Sequence, residues 1–72
     1  MTITEHREKT IKLIHDNDAK FRLGVITCGE LLLNIGAAIN EHEKFVDDQN
    51  LPSGTAGYDA GVDLWSETVL SL

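Results

Sequence analysis

The stretch CGELLLNIGAAINEHEKFV, residues 28–46, decides how this chain is read. Leu31, Leu32, Leu33, Ile35, Ala37, Ala38 and Ile39 occupy most of a helical circumference, and a helix that is apolar nearly all round is buried on several sides. It is the expected centre of the fold. A seam runs into it from upstream: Phe21, Val25, Cys28, Leu32, Ile35 and Ile39 alternate steps of four and three, the spacing that keeps one side of a helix against a partner. Gly29 and Gly36 share a side of this helix one heptad apart, where missing side chains would let another helix come close.

Where this helix begins has two readings. Thr27 and Glu30 have the spacing of a capping box, which starts it at Cys28 and leaves KFRLGVI before it extended. Alternatively the seam carries it back to about residue 19. Phe21, Leu23 and Val25 also alternate with Lys20, Arg22 and Gly24 as in a strand, but a lone strand leaves its backbone groups unpaired, so helix is preferred.

Working outward, TITE at residues 2–5 offers Thr2 or Thr4 as a cap and Glu5 to complement the dipole of a first helix. That helix is expected over about residues 4–15, with Ile3, Ile11, Leu13 and Ile14 as its apolar stripe. HDND at 15–18 reads as a stop and restart, because Asn and Asp side chains compete for local backbone groups. DDQNLPSGT, residues 47–55, contains the single proline and reads as a loop. A third helix follows over about 56–71, capped by Ser53 or Thr55, with Tyr58, Val62, Trp65, Val69 and Leu72 as its inner face and Leu64 and Leu70 widening it. The predicted architecture is all-α: one domain, a helical hairpin plus a third helix, assembled as a homo-oligomeric helical bundle.

Association is expected on energetic grounds. A chain of 72 residues buries only about 60% of the surface that its unfolded form exposes. Disulfides, metals or association usually make up the difference, and a single cysteine, Cys28, excludes an internal disulfide. The interface is expected to draw on Cys28, Leu31, Leu32, Ile35, Ile39, Val62, Trp65 and Val69. Cys28, on the seam, reads as a small buried hydrophobe.

Twelve acidic against six basic residues give a net charge of -6, which argues against nucleic acid as a partner, since basic surface supplies most of that affinity. The longest apolar run, LLLNIGAAI, is far short of the roughly 20 residues of a membrane span. TITEHREKT has no apolar signal core, and the lone cysteine fits a reducing compartment, so a cytoplasmic location is expected.

The chemical motifs are weak. HDNDAKFRLGVITCGE, residues 15–30, resembles the calcium-binding helix-loop-helix family in its paired aspartates, glycine and closing glutamate. Counting from Asp16 puts Lys20, Phe21 and Thr27 at the fifth, sixth and twelfth loop positions; counting back from Glu30 puts Ala19, Phe21 and Leu23 at the ligand positions. Neither register supplies the ligands. No two of His6, His15, Cys28 and His42 are three or four apart, so no metal site is expected. His42 reads as a seam residue beside Ile39 and Val46, with a pH-sensitive or metal-bridged contact across a symmetric interface as the alternative. No histidine is matched to a nucleophile, so no catalytic residues, no cofactor and no enzymatic activity are expected.

Two functions follow. The first is a non-enzymatic regulator or inhibitor acting on another protein as a homo-oligomer, of the kind common among small accessory proteins of phages and mobile elements. The second is an oligomer that sequesters a small anionic ligand, such as a nucleotide, between subunits. Arg7, Lys12 and Arg22 would supply charge, and Ser53, Gly54, Thr55 and Tyr58 the loop amides and a stacking surface.

Overall fold

The computed structural model describes residues 1–50 and 55–72. Among them lie three α-helices, α1 (Ile3–Arg22), α2 (Cys28–Gln49) and α3 (Ala56–Leu64), then a π-helical segment, Trp65–Val69, and no strand. His6 meets His42 and Asn17 meets Asn34, so α1 and α2 form an antiparallel hairpin. The amide of Gly57 meets Asp47 and Arg7 meets Asp63, so α3 runs back along the hairpin antiparallel to α2. The core is Ile14 of α1, Leu31, Ile35 and Ile39 of α2 and Leu64 of α3, flanked by Ile11, Ile26 and Val69.

The caps explain two of the helix starts. Thr2 Oγ1 accepts from the Glu5 amide at 3.1 Å while Glu5 Oε1 accepts from the Thr2 amide at 2.9 Å, and those bonds from Thr2 hold the Glu5 carboxyl below its ordinary value. Thr27 and Glu30 repeat the arrangement at 3.2 Å and start α2 at Cys28. The third start is different. Thr55 makes no side-chain cap, and the Gly57 amide donates instead to Asp47 Oδ1 of α2 at 2.7 Å. A carboxylate from another helix thus does the work of a cap and complements the dipole of α3. Ser53, the other expected cap, lies outside the described residues.

HDND does not stop α1. Its polar side chains bond along and between helices: Asn17 Nδ2 donates to the Leu13 carbonyl at 2.8 Å, Asn34 Nδ2 donates to Asn17 Oδ1 at 2.9 Å, and Asp18 pairs with Arg22 at 2.8 Å. The stop comes at Gly24, whose φ of 77° places it in the left-handed region. The Gly24 amide donates to the Phe21 carbonyl at 3.0 Å and the Val25 amide to the Lys20 carbonyl at 2.9 Å, the paired bonds of a Schellman ending. Phe21 and Arg22 therefore close α1, and Leu23–Thr27 form the connection, neither strand nor a leading part of α2. At its other end α2 continues through Gln49, so residues 47–49 of the expected loop are helical and Asn50 closes it, its Nδ2 donating to the Val46 carbonyl at 2.9 Å.

The buried face of α3 is displaced by one residue from the expected seam, whereas in α2 Ile35, Ile39 and His42 lie on it as expected and only Cys28 and Leu32 depart. In α2 the inner line is Leu31, Ile35, Ile39, His42 and Val46, while Cys28 and Leu32 turn outward. In α3 and the segment after it, the inner line is Gly57, Gly61, Leu64 and Thr68, and Tyr58, Val62 and Trp65 are exposed. The reason is close approach. A Cβ added at Gly57 would lie 2.5 Å from the Glu43 carbonyl oxygen and 2.6 Å from Asp47 Cγ, and one at Gly61 would lie 2.7 Å from Glu43 Cδ. Two glycines one turn apart thus let α3 rest its backbone on α2. Gly29 and Gly36, expected to serve this purpose, do not: nothing lies within 4 Å of a Cβ built at Gly36, and only Thr27 Oγ1, at 3.9 Å, lies near one at Gly29.

Candidate functional site

The two ends of this 42 × 20 × 18 Å body differ in chemistry. The N-terminus of α1, the C-terminus of α2 and the start of α3 meet at one end. His6 lies in the second turn of α1 and His42 on the inner line of α2, only 1% exposed. Their Nδ1 atoms are 2.8 Å apart and their rings nearly parallel, with an interplanar angle of 16°. Phe45 stacks on His6 with ring centroids 4.3 Å apart. Burial is the chief reason that the His42 pKa falls below its ordinary value; the charges of His6 and then Arg7 lower it further, against Asp63, which raises it.

Arg7, one residue on, spans to the third helix. Its Nε donates to Asp63 Oδ2 at 3.0 Å and its guanidinium also contacts Glu67. Burial opposes the guanidinium charge, but the bonds and charges of Asp63 and then Glu67 outweigh that and raise its pKa. Both carboxylates are about half exposed, so the pairing positions the helices more than it stabilises them. The Thr10 hydroxyl donates to the His6 carbonyl at 2.9 Å, leaving its methyl for the core. Among the described residues, no buried side-chain nitrogen or oxygen lacks a partner.

The other end gathers the turn between α1 and α2 and the first turns of α2. Phe21, Leu23, Val25, Leu32 and Leu33 are all exposed there, Leu23 at 79% and Leu33 at 75%. This is not a failure to fold: the accessible surface is 4752 Å², against about 4,400 Å² for a compact monomer of 7.9 kDa. The cause is geometric, because a helix in a three-helix arrangement has two neighbours, and α2 is apolar on a third side. Charge divides the same way. Residues 11–40 contain three basic and three acidic side chains, so the whole net charge of -6 arises outside them. Midway, α1 and α2 flank an open groove of about 220 Å³ lined by Leu13, Asn17, Asn34, Ala37, Ala38 and Glu41.

Of the expected interface residues, Leu31, Ile35 and Ile39 are buried in the chain's own core and offer no surface to a second copy. Cys28, Leu32, Val62 and Trp65 are exposed, and Val69 is partly buried against the core. Cys28 is therefore not the buried hydrophobe that the seam implied. Of the expected anion-binding residues, Arg7 and Arg22 are engaged by carboxylates of this chain, Lys12 and Thr55 are exposed, and Tyr58 points to solvent. Ser53 and Gly54 lie outside the described residues. Among the described residues of the set, Arg22 at the end of α1 lies at the opposite end of the hairpin from Thr55 and Tyr58.

Sequence reasoning missed the His6–His42 contact, which joins residues 36 apart and so has no local periodicity to betray it. His42 itself was legible, since it falls on the seam after Ile39. The cue for the α2–α3 contact was present in GYDAG, whose glycines are four apart.

Among the described residues, no group of three or more His, Cys, Asp or Glu is placed to hold a metal ion, and no helix is long and apolar enough to cross a membrane. No protein-family model, no curated protein and no solved structure matches the chain.

Proposed function

We propose that this chain is a small non-enzymatic protein that acts by binding, associating with copies of itself and presenting the assembly to another protein as a regulator or inhibitor. One observation carries the reading: Phe21, Leu23, Val25, Leu32 and Leu33 are exposed at the end where α1 turns into α2. Apolar surface gathered in this way marks interaction sites on small proteins. The charge distribution favours a second copy as the first occupant. Residues 11–40, which supply most of that end, carry no net charge, so two such ends meet while the acidic residues of each chain stay apart. The single cysteine is compatible with a reducing, cytoplasmic setting.

Light scattering over a range of concentrations tests the first step. The expected mass is a multiple of 7.9 kDa, reduced to the single chain by Leu33→Asp with the helical circular dichroism unchanged. A wild-type chain that remains at 7.9 kDa at the highest attainable concentration refutes the association. Immobilised wild-type and Leu33→Asp chains then test the second step, which predicts a protein retained by the first and lost by the second.

A further inference from the structure

We propose that His6 and His42 form a proton-operated latch that holds the N-terminal half of α1 against α2 and releases it on mild acidification. The geometry supplies the mechanism. With the Nδ1 atoms 2.8 Å apart, one ring must donate an Nδ1–H and the other accept on its Nδ1 lone pair. A first added proton goes to the free Nε2 of the donor ring and leaves that bond in place. A second has only the accepting Nδ1 lone pair to bind, which breaks the bond and sets two cationic N–H groups against each other. With His42 buried and Phe45 stacked on the ring of His6, parting the two rings disturbs the contact of α1 with α2.

The surroundings of the pair agree with this role. From α1 it is faced by Arg7 and from α3 by Asp63, while Glu67 of the π-helical segment reaches Arg7 and Glu43 of α2 lies against Gly61. Arg7 disfavours added positive charge, whereas Asp63 favours it. Because the His42 pKa is depressed, its contribution to stability is complete above the ordinary imidazole value of 6.5 and is lost as pH falls through the lower folded value. The latch lies at the end of the molecule away from the exposed leucines, so it operates whether or not copies associate.

The test follows the imidazole signals and the backbone amide exchange of the full chain by NMR from about pH 7.5 to about pH 5, a range that brackets an ordinary imidazole. His42 is expected to titrate below its ordinary value, and the amides of Ile3–Thr10 to lose protection over the same step, after correction for intrinsic exchange. His42→Asn keeps a polar atom near the Nδ1 position and cannot titrate, so its denaturation midpoint should vary less with pH than that of the wild type. His15→Asn, on the exposed side of α1, should follow the wild type. His42 titrating as a free imidazole, or wild type and His42→Asn losing stability in parallel, overturns the proposal. If His42→Asn does not fold, the wild-type titration still decides.

Discussion

Replacing Gly57 by alanine should destabilise this protein, although alanine is the better helix former, and the size of the effect can be worked from the contacts. Alanine for glycine inside a helix ordinarily gains up to about 1 kcal/mol. Here the new Cβ would sit 2.5 Å from the Glu43 carbonyl oxygen and equally close to Asp47 Oδ2. The first is backbone in the middle of α2 and cannot turn aside. Overpacking of this kind costs about 1–3 kcal/mol. The second is on the carboxylate that receives the Gly57 amide at 2.7 Å, and displacing it loses a charge-assisted bond worth about 1.5–3 kcal/mol. The net loss is about 1.5–5 kcal/mol, or a fall in Tm of roughly 6 °C or more in a domain of this size. Gly36→Ala is the matched control, since nothing lies within 4 Å of its Cβ, and it should stabilise by about 0.5–1 kcal/mol. Gly61→Ala falls between, because the obstacle there is the Glu43 side chain, which can swing toward solvent. Urea denaturation of the three variants at one protein concentration is the assay. A Gly57→Ala midpoint at or above that of the wild type would show that α3 does not rest on α2 through its glycines, and the account of the third helix would fail with it.

Other substitutions check other parts of the structure. Gly24→Ala meets no side chain but must hold a φ of 77°, so it should cost about 1–2 kcal/mol, read as a lower urea midpoint with no change in helical signal. Ile35→Ala removes a buried side chain and should cost about 2–5 kcal/mol, whereas Leu33→Ala, two residues away on the exposed side, should change folding stability by less than about 0.5 kcal/mol when measured at a concentration where the chain is monomeric. Equal effects at the two positions would mean that α2 is rotated from the orientation described.

Much of the fold was legible from local chemistry. The capping box at Thr27 and Glu30 marks the start of α2 because both partners lie within one turn, and it proved a better guide than the seam running back through Val25 and Phe21. The Schellman ending at Gly24 was equally local, yet HDND drew the stop earlier, because Asn and Asp break a helix only when their side chains bond to its backbone ends. Here Asn17 found Asn34 on the neighbouring helix and Asp18 found Arg22 one turn on. The candidate site was less legible. Its exposed leucines read from the sequence as helix core, and only the number of neighbours available to α2 turns Leu32 and Leu33 outward.

The sequence alone determined that three helices form, that the middle one is the centre, and that the charge is acidic. Each follows from groups within a turn of one another or from composition. Tertiary structure decided which face of α3 is inside and turned Cys28 and Leu32 outward on α2. A pair of glycines outranked Tyr58, Val62 and Trp65 as the contact of α3, because a backbone can approach α2 only where no Cβ intervenes. It also decided that His6 and His42 share one hydrogen bond, since residues on different helices meet only when the hairpin closes and sets its register.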